Sequence, residues 1–309
     1  MTDTRTAIAG LGMTDLGKVY GYTANEFAAQ AVRHAVADAG LALDDLDGLI
    51  MSSGLGNGVG LSLQGTLGLT DLNLLTYMQG YGSTAAQMVQ YASMAIRSGM
   101  AQTIAIVWAD DPLEENRGAG AAYKAAASAF SGWQGLLGAS GIYSANTYYA
   151  LAARRHMEAY GTTSDQLGAI AVAQRDWAVL NPLAQLRTPL TLEEYHASRY
   201  ISEPFHLYDC CLVSNGGIAL VITSLDRAKT LAQPPVEVLG WAQSHPGTTG
   251  ERNDNFGLVS GAARSGPAAL RMADTTLEEI DVVEVYDCYT YTARITLEDY
   301  GFCEKGEGG

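Results

Sequence analysis

Residues 43–51 have the sequence LDDLDGLIM, and residues 277–285, which lie 234 positions further along the chain, have the sequence LEEIDVVEV. An alanine-rich segment precedes each stretch, which itself consists of an acidic link followed by a short apolar run. This order is typical of a helix that leads into a buried strand. Its recurrence at such a distance predicts an internally duplicated α/β fold with two similar halves. In such sheets chemistry collects where strand ends meet, so the repeat indicates where to look for a site.

The composition is that of a well-buried globular protein. Of the 309 residues, 48% are hydrophobic and 17% are charged, and the formal net charge is −15. An acidic chain without a basic stripe does not neutralise phosphates, so we expect no nucleic-acid partner. No apolar run approaches the roughly 20 residues that span a bilayer, and residues 1–6 lack the apolar core of a signal peptide. We therefore expect a cytoplasmic protein without a membrane span.

The four cysteines are Cys210, Cys211, Cys288 and Cys303. A long chain without an export signal predicts reduced thiols rather than disulfides. The adjacent pair at 210 and 211 lacks C-x-x-C spacing, and the five histidines are scattered along the chain. We therefore expect no metal site.

Strand and helix signals alternate in the first part of the chain. Thr23 and Glu26 have the spacing of a capping box, which predicts the start of a helix that ends at Gly40. The alternation predicts a largely parallel sheet covered by helices. The predicted strands are 7–12, 49–52, 103–108 and 217–223, and a second helix is predicted at 84–97.

Residues 109–216 interrupt this rhythm. They contain an Ala/Gly/Ser-rich stretch at 118–140 and two predicted helices, one near 144–159 and one from Thr163 to Asn181. We interpret 109–216 as an inserted loop region that covers a pocket. It lies within an N-terminal half that spans residues 1–233.

Pro234-Pro235 marks the boundary to the second half, residues 234–309. This half has fewer predicted elements than the first, which predicts a partial copy with a truncated C-terminal end. Its predicted strands are 236–242 and 282–286, and its predicted helices are 261–273 and 290–300.

The segment Tyr286-Asp287-Cys288-Tyr289-Thr290 lies where the last predicted strand ends and the last predicted helix begins. Reactive groups are favoured at this position of an α/β sheet. A tyrosine there can donate a hydrogen bond to a carbonyl or enolate oxygen, or act as acid or base if its pKa is tuned. The alternative is an ordinary half-buried ring with a satisfied hydroxyl, and the residues alone favour that alternative.

The corresponding place in the first half is Gln79-Gly80-Tyr81-Gly82-Ser83, just before the 84–97 helix. A helix N-terminus stabilises anions and lowers the pKa of a thiol placed there. No cysteine occupies this position.

Several motifs together resemble the thiolase superfamily, and the branch they resemble is the lipid-transfer-protein or sterol-carrier-protein-X group. The resemblance covers essentially the whole chain. The motifs are Gly10-Leu11-Gly12-Met13-Thr14, the helix entry at 79–83, Ser214-Asn215-Gly216-Gly217, the element at 284–290 and the stretch at 298–307.

The resemblance implies a duplicated βαβαβαββ fold of five layers, usually assembled as a homodimer, that acts on acyl-CoA thioesters. Coenzyme A would enter only as part of the substrate, and no other cofactor is expected. Some members of this branch pair with a small OB-fold, zinc-ribbon protein, among them aldolases that shorten steroid side chains. Such a partner is therefore expected here as well.

Two departures from the thiolase pattern decide the expected chemistry. Gln79 aligns with the nucleophilic cysteine of thiolases, and an amide cannot form an acyl thioester. Tyr286 stands where thiolases and carrier-protein-X enzymes carry Asn or His, as in the aldolase-like members. The family's HGG and GHP motifs would lie beyond Gly309, and a second acid/base group would be expected in that segment.

The resemblance therefore implies aldol-type cleavage or formation of a carbon–carbon bond. Tyr286 would be the acid/base group or enolate donor, and Asp287 would orient it. Substrate contacts are expected at Gln79, Gly80, Tyr81, Gly82 and Ser83, where backbone N–H groups would polarise the thioester carbonyl. Two alternatives stay open: acyl transfer through another cysteine, with Cys288 and Cys303 as candidates, and a non-catalytic acyl-CoA carrier.

Overall fold

The computed structural model of the protein describes residues 4–54, 56, 58–122, 132–142, 144–247 and 255–309. The chain divides into two compact units, Met1–Lys124 with Leu212–Leu239 and Ala125–Cys211 with Gly240–Gly309. No helix in the described ranges has the length and apolarity that a membrane crossing requires.

The strands and helices are numbered in chain order. The strands are β1 (Thr6–Met13), β2 (Gly48–Ser53), β3 (Leu74–Tyr77), β4 (Thr103–Asp110), β5 (Tyr200–Ser202), β6 (Phe205–His206), β7 (Gly216–Ser224) and β8 (Val236–Val238). The helices are α1 (Ala24–Asp38), α2 (Leu63–Leu67), α3 (Thr84–Arg97), α4 (Gly132–Ala139), α5 (Ala145–Tyr160), α6 (Ser164–Leu180), α7 (Leu192–Ala197), α8 (Leu225–Ala228), α9 (Ala262–Ala273) and α10 (Thr290–Tyr300).

The first unit contains a six-stranded sheet with the order β3-β2-β4-β7-β1-β8. Strand β2 runs parallel to β3 and β4, whereas the pairs β4–β7, β7–β1 and β1–β8 are antiparallel. The prediction of a largely parallel sheet is therefore wrong, and the sheet is mixed. Strand β7 returns after a long excursion of the chain instead of a single helical crossover, and local periodicity does not specify its direction.

Helices α1 and α3 cover opposite faces of this sheet. Alternate side chains of β2 therefore point to opposite faces of the sheet. Leu49 and Met51 pack in the apolar cluster that contains α1, whereas Ile50 packs in the cluster that contains α3. All six residues of β2 are buried, as expected for a strand covered on both sides. The predicted capping box at the start of α1 is present, with Thr23 and Glu26 as its two members.

The duplication appears in how glycines pack against helices within each unit. A Cβ on Gly10 would lie 2.3 Å from the carbonyl oxygen of Ala35 on α1, and a Cβ on Gly240 would lie 2.4 Å from that of Ala269 on α9. Both distances are far too short for any side chain, so glycine is required at both places. Ala35 and Ala269 are separated by the same 234 positions as the sequence repeat.

The second copy of the repeat departs from the first at its last element. Helix α9 and a short 3₁₀ turn at Leu277–Glu279 match α1 and the turn at Leu43–Asp45. The predicted strand at 282–286 is wrong, because this stretch forms no strand ladder within the described parts of the chain. Its side chains are largely exposed, and Val282 reaches 77%. An apolar sequence does not become a strand where no neighbouring strand lies beside it.

Helices α5, α6 and α10 supply much of the second unit. The predicted helices in 144–181 are present, capped by Ser144 and Thr163, and α5 ends at Gly161 with a left-handed φ of 72°. Helix α10 begins and ends where the sequence predicts. The apolar core of this unit includes Phe205, Cys288 and Tyr289.

A buried ionic network joins α5 to α10 and to the segment after it. The carboxylate of Glu298 accepts hydrogen bonds from His156 Nε2 at 2.9 Å and from Arg294 Nε at 3.0 Å, and all three side chains are fully buried. Arg294 also donates to the carbonyl of Gly306 at 2.8 Å. Because each buried charge has several partners, the network fixes the 301–309 segment against α10.

Candidate functional site

Tyr286 stands four residues before α10 in the second unit, and its side chain is 54% exposed. Partial burial raises the pKa of its phenol, and the neighbouring thiols of Cys288 and Cys211 raise it further. The phenol therefore holds its proton at neutral pH, which suits a hydrogen-bond donor or general acid rather than a resting base. More than half of the Tyr286 surface is open to solvent, and its hydroxyl is a hydrogen-bond partner of the Cys288 thiol.

Cys288 lies two residues further along and has a buried thiol, only 7% exposed. Its sulfur is 3.3 Å from Thr292 Oγ1, and the hydroxyls of Tyr149 and Tyr286 are further hydrogen-bond partners. Burial raises the pKa of this thiol despite those hydroxyls. A thiol that is both buried and protonated is a poor nucleophile, so the geometry favours a packing and orienting part for Cys288.

Asp287 faces a different neighbour from the predicted one. Its Oδ2 accepts a hydrogen bond from Gln174 Nε2 at 2.8 Å, across 113 residues of sequence. Because successive side chains of an extended segment point to opposite sides, Asp287 turns away from the side shared by Tyr286 and Cys288. This hydrogen bond ties the segment to α6, and it goes to Gln174 instead of the predicted Tyr286.

The other thiols do not offer a better nucleophile. Cys210 is half-buried, and burial raises its pKa to about 12. Cys211 reaches solvent, yet partial burial and the adjacent Cys288 raise the pKa of its thiol to about 11. Burial also raises the pKa of Cys303.

The turn before α3 is a separate feature, in the first unit. The Gln79 amide donates from Nε2 to the carbonyls of Ser53 and Gly54, both at 3.1 Å. Its Oε1 accepts the N–H of Tyr81 at 2.9 Å. Three of the four hydrogen-bonding positions of the amide are therefore used inside the protein, because the single proton of the Thr84 hydroxyl goes to the carbonyl of Tyr81 at 2.7 Å. The geometry makes Gln79 a brace for the turn.

Three of the four backbone N–H groups at 80–83, those of Gly80, Tyr81 and Ser83, already have acceptors. Gly80 donates to Thr84 Oγ1 at 2.8 Å, and Ser83 donates to the carbonyl of Gly80 at 3.2 Å. The N–H of Tyr81 is held by Gln79. These three groups already have acceptors, so none of them is free to polarise a substrate carbonyl in this conformation of the turn.

Tyr81 adopts an unusual conformation at the tip of the same turn. Its φ is 52°, in the left-handed region, and its ring is 75% exposed. A left-handed conformation is unfavourable for an aromatic residue, and it persists only where hydrogen bonds from neighbouring groups hold the backbone in place. Here Gln79 holds the N–H, and the hydroxyl of Thr84 donates to the carbonyl at 2.7 Å.

Sequence reasoning missed four neighbours of the Tyr286 segment, namely Tyr149, Gln174, Asp209 and Thr292. Of these four, only Thr292 could have been found from the sequence. It lies four positions after Cys288, which immediately precedes the N-cap of α10, and positions four apart share a helix face. The other three come from distant parts of the chain. No cluster of three or more His, Cys, Asp or Glu side chains in the described ranges could hold a metal ion.

The fold is that of an α/β protein with an internal repeat, because α1 and α3 cover a mixed sheet and the packing of Gly10 on α1 recurs at Gly240 on α9. A family model described as thiolase C-terminal domain-like matches residues 242–309. The chain is 34% identical to a steroid side-chain-cleaving aldolase of Thermomonospora curvata, over 97% of its own length and 78% of that protein. The chain belongs to the thiolase-like family of these aldolases, and the predicted family and fold class are confirmed.

Two further similarities agree with that membership. The chain is 31% identical to the 17-hydroxy-3-oxo-4-pregnene-20-carboxyl-CoA lyase of Mycobacterium tuberculosis, over 99% of this chain and 81% of the lyase. A solved structure, the Ltp2-ChsH2(DUF35) aldolase, superposes with a TM-score of 0.88 at 32% identity and covers 99% of this chain and 79% of its own. These proteins are enzymes, and the prediction of a thiolase-like enzyme is confirmed.

Proposed function

We propose that this protein is an aldolase that cleaves, or in reverse forms, a carbon–carbon bond of an acyl-CoA thioester. The observation that carries the proposal is Tyr286, a half-exposed tyrosine that lies near the start of α10 and whose phenol has a raised pKa, in a chain with an amide at position 79. The prediction of aldol-type chemistry, made from those two residues, agrees with the aldolase and lyase relatives.

The proposed cleavage acts on a thioester with a hydroxyl on its β carbon. The hydroxyl proton passes to solvent, the β carbon becomes a ketone, and the electron pair of the Cα–Cβ bond becomes the thioester enolate. The phenol of Tyr286 then delivers a proton to the α carbon and is reprotonated from solvent. The phenol can supply this proton because it is in its acid form at neutral pH.

The proposed substrate class is a steroid acyl-CoA with a hydroxyl on the ring carbon that carries the side chain. The names of the aldolase and lyase relatives support this class. No cofactor beyond the coenzyme A of the substrate is part of the proposal.

A second polypeptide is part of the proposal as well. The similar solved structure carries two names, Ltp2 and ChsH2(DUF35), which supports a partner for this chain. We propose an OB-fold, zinc-ribbon protein in that role and a homodimer of this chain as its assembly.

Acyl transfer through a thiol is the competing function, and the state of the cysteines weighs against it. The pKa values of Cys210, Cys211, Cys288 and Cys303 are all raised, whereas an acyl-accepting thiol needs a lowered pKa. The third possibility is an acyl-CoA carrier, which differs from both enzymes because it binds the acyl-CoA without converting it to a product.

One assay separates the three functions. The protein, alone and with the OB-fold partner, is incubated with 17-hydroxy-3-oxo-4-pregnene-20-carboxyl-CoA, and products and protein are analysed by mass spectrometry. An aldolase gives a 17-ketosteroid and a shortened acyl-CoA, with no acyl group on the protein. A trapped acyl-cysteine would support acyl transfer, and binding without product under every condition would support the carrier.

A further inference from the structure

Three consecutive contacts connect the 209–211 segment to the segment that carries Tyr286. Asp209 Oδ1 accepts the hydroxyl of Thr290 at 2.5 Å, Cys210 forms a β-bridge with Tyr289, and the N–H of Cys211 donates to the carbonyl of Cys288 at 3.1 Å. Each contact lies one residue closer to Tyr286 than the one before it. The two segments are thus paired antiparallel, and Asp209 forms the end of the pairing that reaches α10.

Asp209 itself is held from the opposite side. Its carboxylate is 1% exposed, and its Oδ2 accepts the hydroxyl of Tyr195 at 2.7 Å and the N–H of His206 at 2.6 Å. Burial raises the pKa of this carboxyl, and the three hydrogen bonds oppose that effect. A carboxylate with three short bonds in a closed site has one orientation, so it fixes whatever it binds.

The residue it binds is the first residue of α10. Tyr289, at the N-cap position, makes no side-chain capping bond, so this helix lacks the usual local device that fixes its start. The Asp209 carboxylate lies at that end and favours it electrostatically as well, because helix N-termini attract negative charge. The contact between Asp209 and Thr290 therefore holds the start of α10, from which the paired segment at Tyr289 and Cys288 leads to Tyr286.

We propose that Asp209 is a positioning residue, which aims the Tyr286 phenol through Thr290 and the start of α10. The inference rests on the proposed function for its effect on turnover. It adds a residue 77 positions from Tyr286 that no motif marks. It also assigns Thr290 a role beyond helix formation.

Thr290→Val tests the proposal, because it removes the hydroxyl and keeps the shape of the side chain. We expect kcat to fall by about 10- to 100-fold with KM changed less than about twofold, since a misaimed acid slows proton delivery more than binding. Thr290→Ser restores the hydroxyl and should recover most of the activity.

Thr162→Val is the matched control. Thr162 is also buried in the second unit, and its hydroxyl bonds to His156 Nδ1 at 2.8 Å, away from Tyr286. Thr162→Val should lower Tm by a similar amount and leave kcat within about twofold of the parent. Equal losses of kcat in the two variants, or no recovery with serine, would overturn the proposal.

Amide hydrogen exchange separates this inference from the proposed function. In Thr290→Val, exchange in the 286–292 peptide should accelerate at least about 10-fold, whereas Thr162→Val should leave it unchanged. If the parent protein cleaves no acyl-CoA, the proposed function fails, yet the exchange result still decides whether Asp209 fixes the segment. Unchanged exchange in Thr290→Val would refute the positioning role.

Discussion

The side-chain oxygen of Gln79 accepts the backbone N–H of Tyr81 at 2.9 Å, and so supports a residue whose φ of 52° is unfavourable for its type. The amide of the same side chain donates to the carbonyls of Ser53 and Gly54 at the end of β2, so Gln79 braces the turn against that strand.

Gln79→Ala should destabilise the fold by about 1–3 kcal/mol, because it strips partners from buried carbonyls and from the turn. Urea denaturation provides the measurement. Gln102→Ala, the same truncation at an exposed side chain of the first unit, should cost less than about 0.5 kcal/mol. Equal effects of the two substitutions would contradict the bracing role.

Tyr81→Gly should have the opposite effect on stability. Glycine adopts a left-handed φ freely, so the substitution relieves strain worth about 1 kcal/mol, and the exposed ring makes little packing to lose. A higher urea midpoint with unchanged slope is the expected result. A lower midpoint would mean that the Tyr81 ring contributes more than its exposure suggests.

Thiol labelling should be slow at neutral pH for all four cysteines. For Cys211, whose pKa is about 11, the rate with iodoacetamide should rise about 10-fold per pH unit up to that pH, because only the thiolate reacts. Peptide mass spectrometry locates the label, and Cys211→Ser serves as the control. Fast labelling of any cysteine at pH 7 would show that its thiol has a lowered pKa, and it would support acyl transfer as the function.

Glu298 should make the fold sensitive to acid. Burial alone would raise its pKa, but the hydrogen bonds from His156 and from the backbone at Gly306, with the charges of His156 and Lys305, lower it to about 2. The unfolded carboxyl titrates near its ordinary pKa of 4.5, so the ionised form stabilises the fold at neutral pH. That contribution is lost as the pH falls from about 4.5 to about 2.

Glu298→Gln should therefore cost about 3–5 kcal/mol at pH 7, because it leaves the buried Arg294 without its carboxylate. The difference from the parent should shrink steadily below about pH 4.5, as urea denaturation at several pH values would show. Glu158→Gln, which removes an exposed partner of Arg154, should cost less than about 1 kcal/mol at every pH. A pH-independent penalty for Glu298→Gln would contradict the lowered pKa.

Local signals predicted the elements that depend on nearby residues. The capping box at Thr23 and the end of α5 at Gly161 both follow from residues within one helical turn. Strand direction and the fate of 282–286 depend on which strand lies alongside, and the sequence does not encode that locally. Hence the sheet is mixed, and the last predicted strand is an extended segment instead.

The candidate site also has one part that the local sequence predicts and another part that it does not. Sequence reasoning placed Tyr286 correctly just before α10, since both follow from one short stretch of sequence. Gln174 and Asp209 approach that stretch across 113 and 81 residues, and no spacing rule brings such positions together. Asp287 illustrates the difficulty, because adjacency in sequence suggested that it orients the phenol, whereas it binds Gln174.

The decisive measurement is the turnover of Tyr286→Phe with a β-hydroxy steroid acyl-CoA, beside that of Tyr22→Phe, an exposed tyrosine of the first unit. If the phenol supplies the proton to the enolate, Tyr286→Phe should lose about 100- to 10,000-fold in kcat with an unchanged Tm, while Tyr22→Phe keeps parental activity. Full turnover by Tyr286→Phe would contradict that role for the phenol.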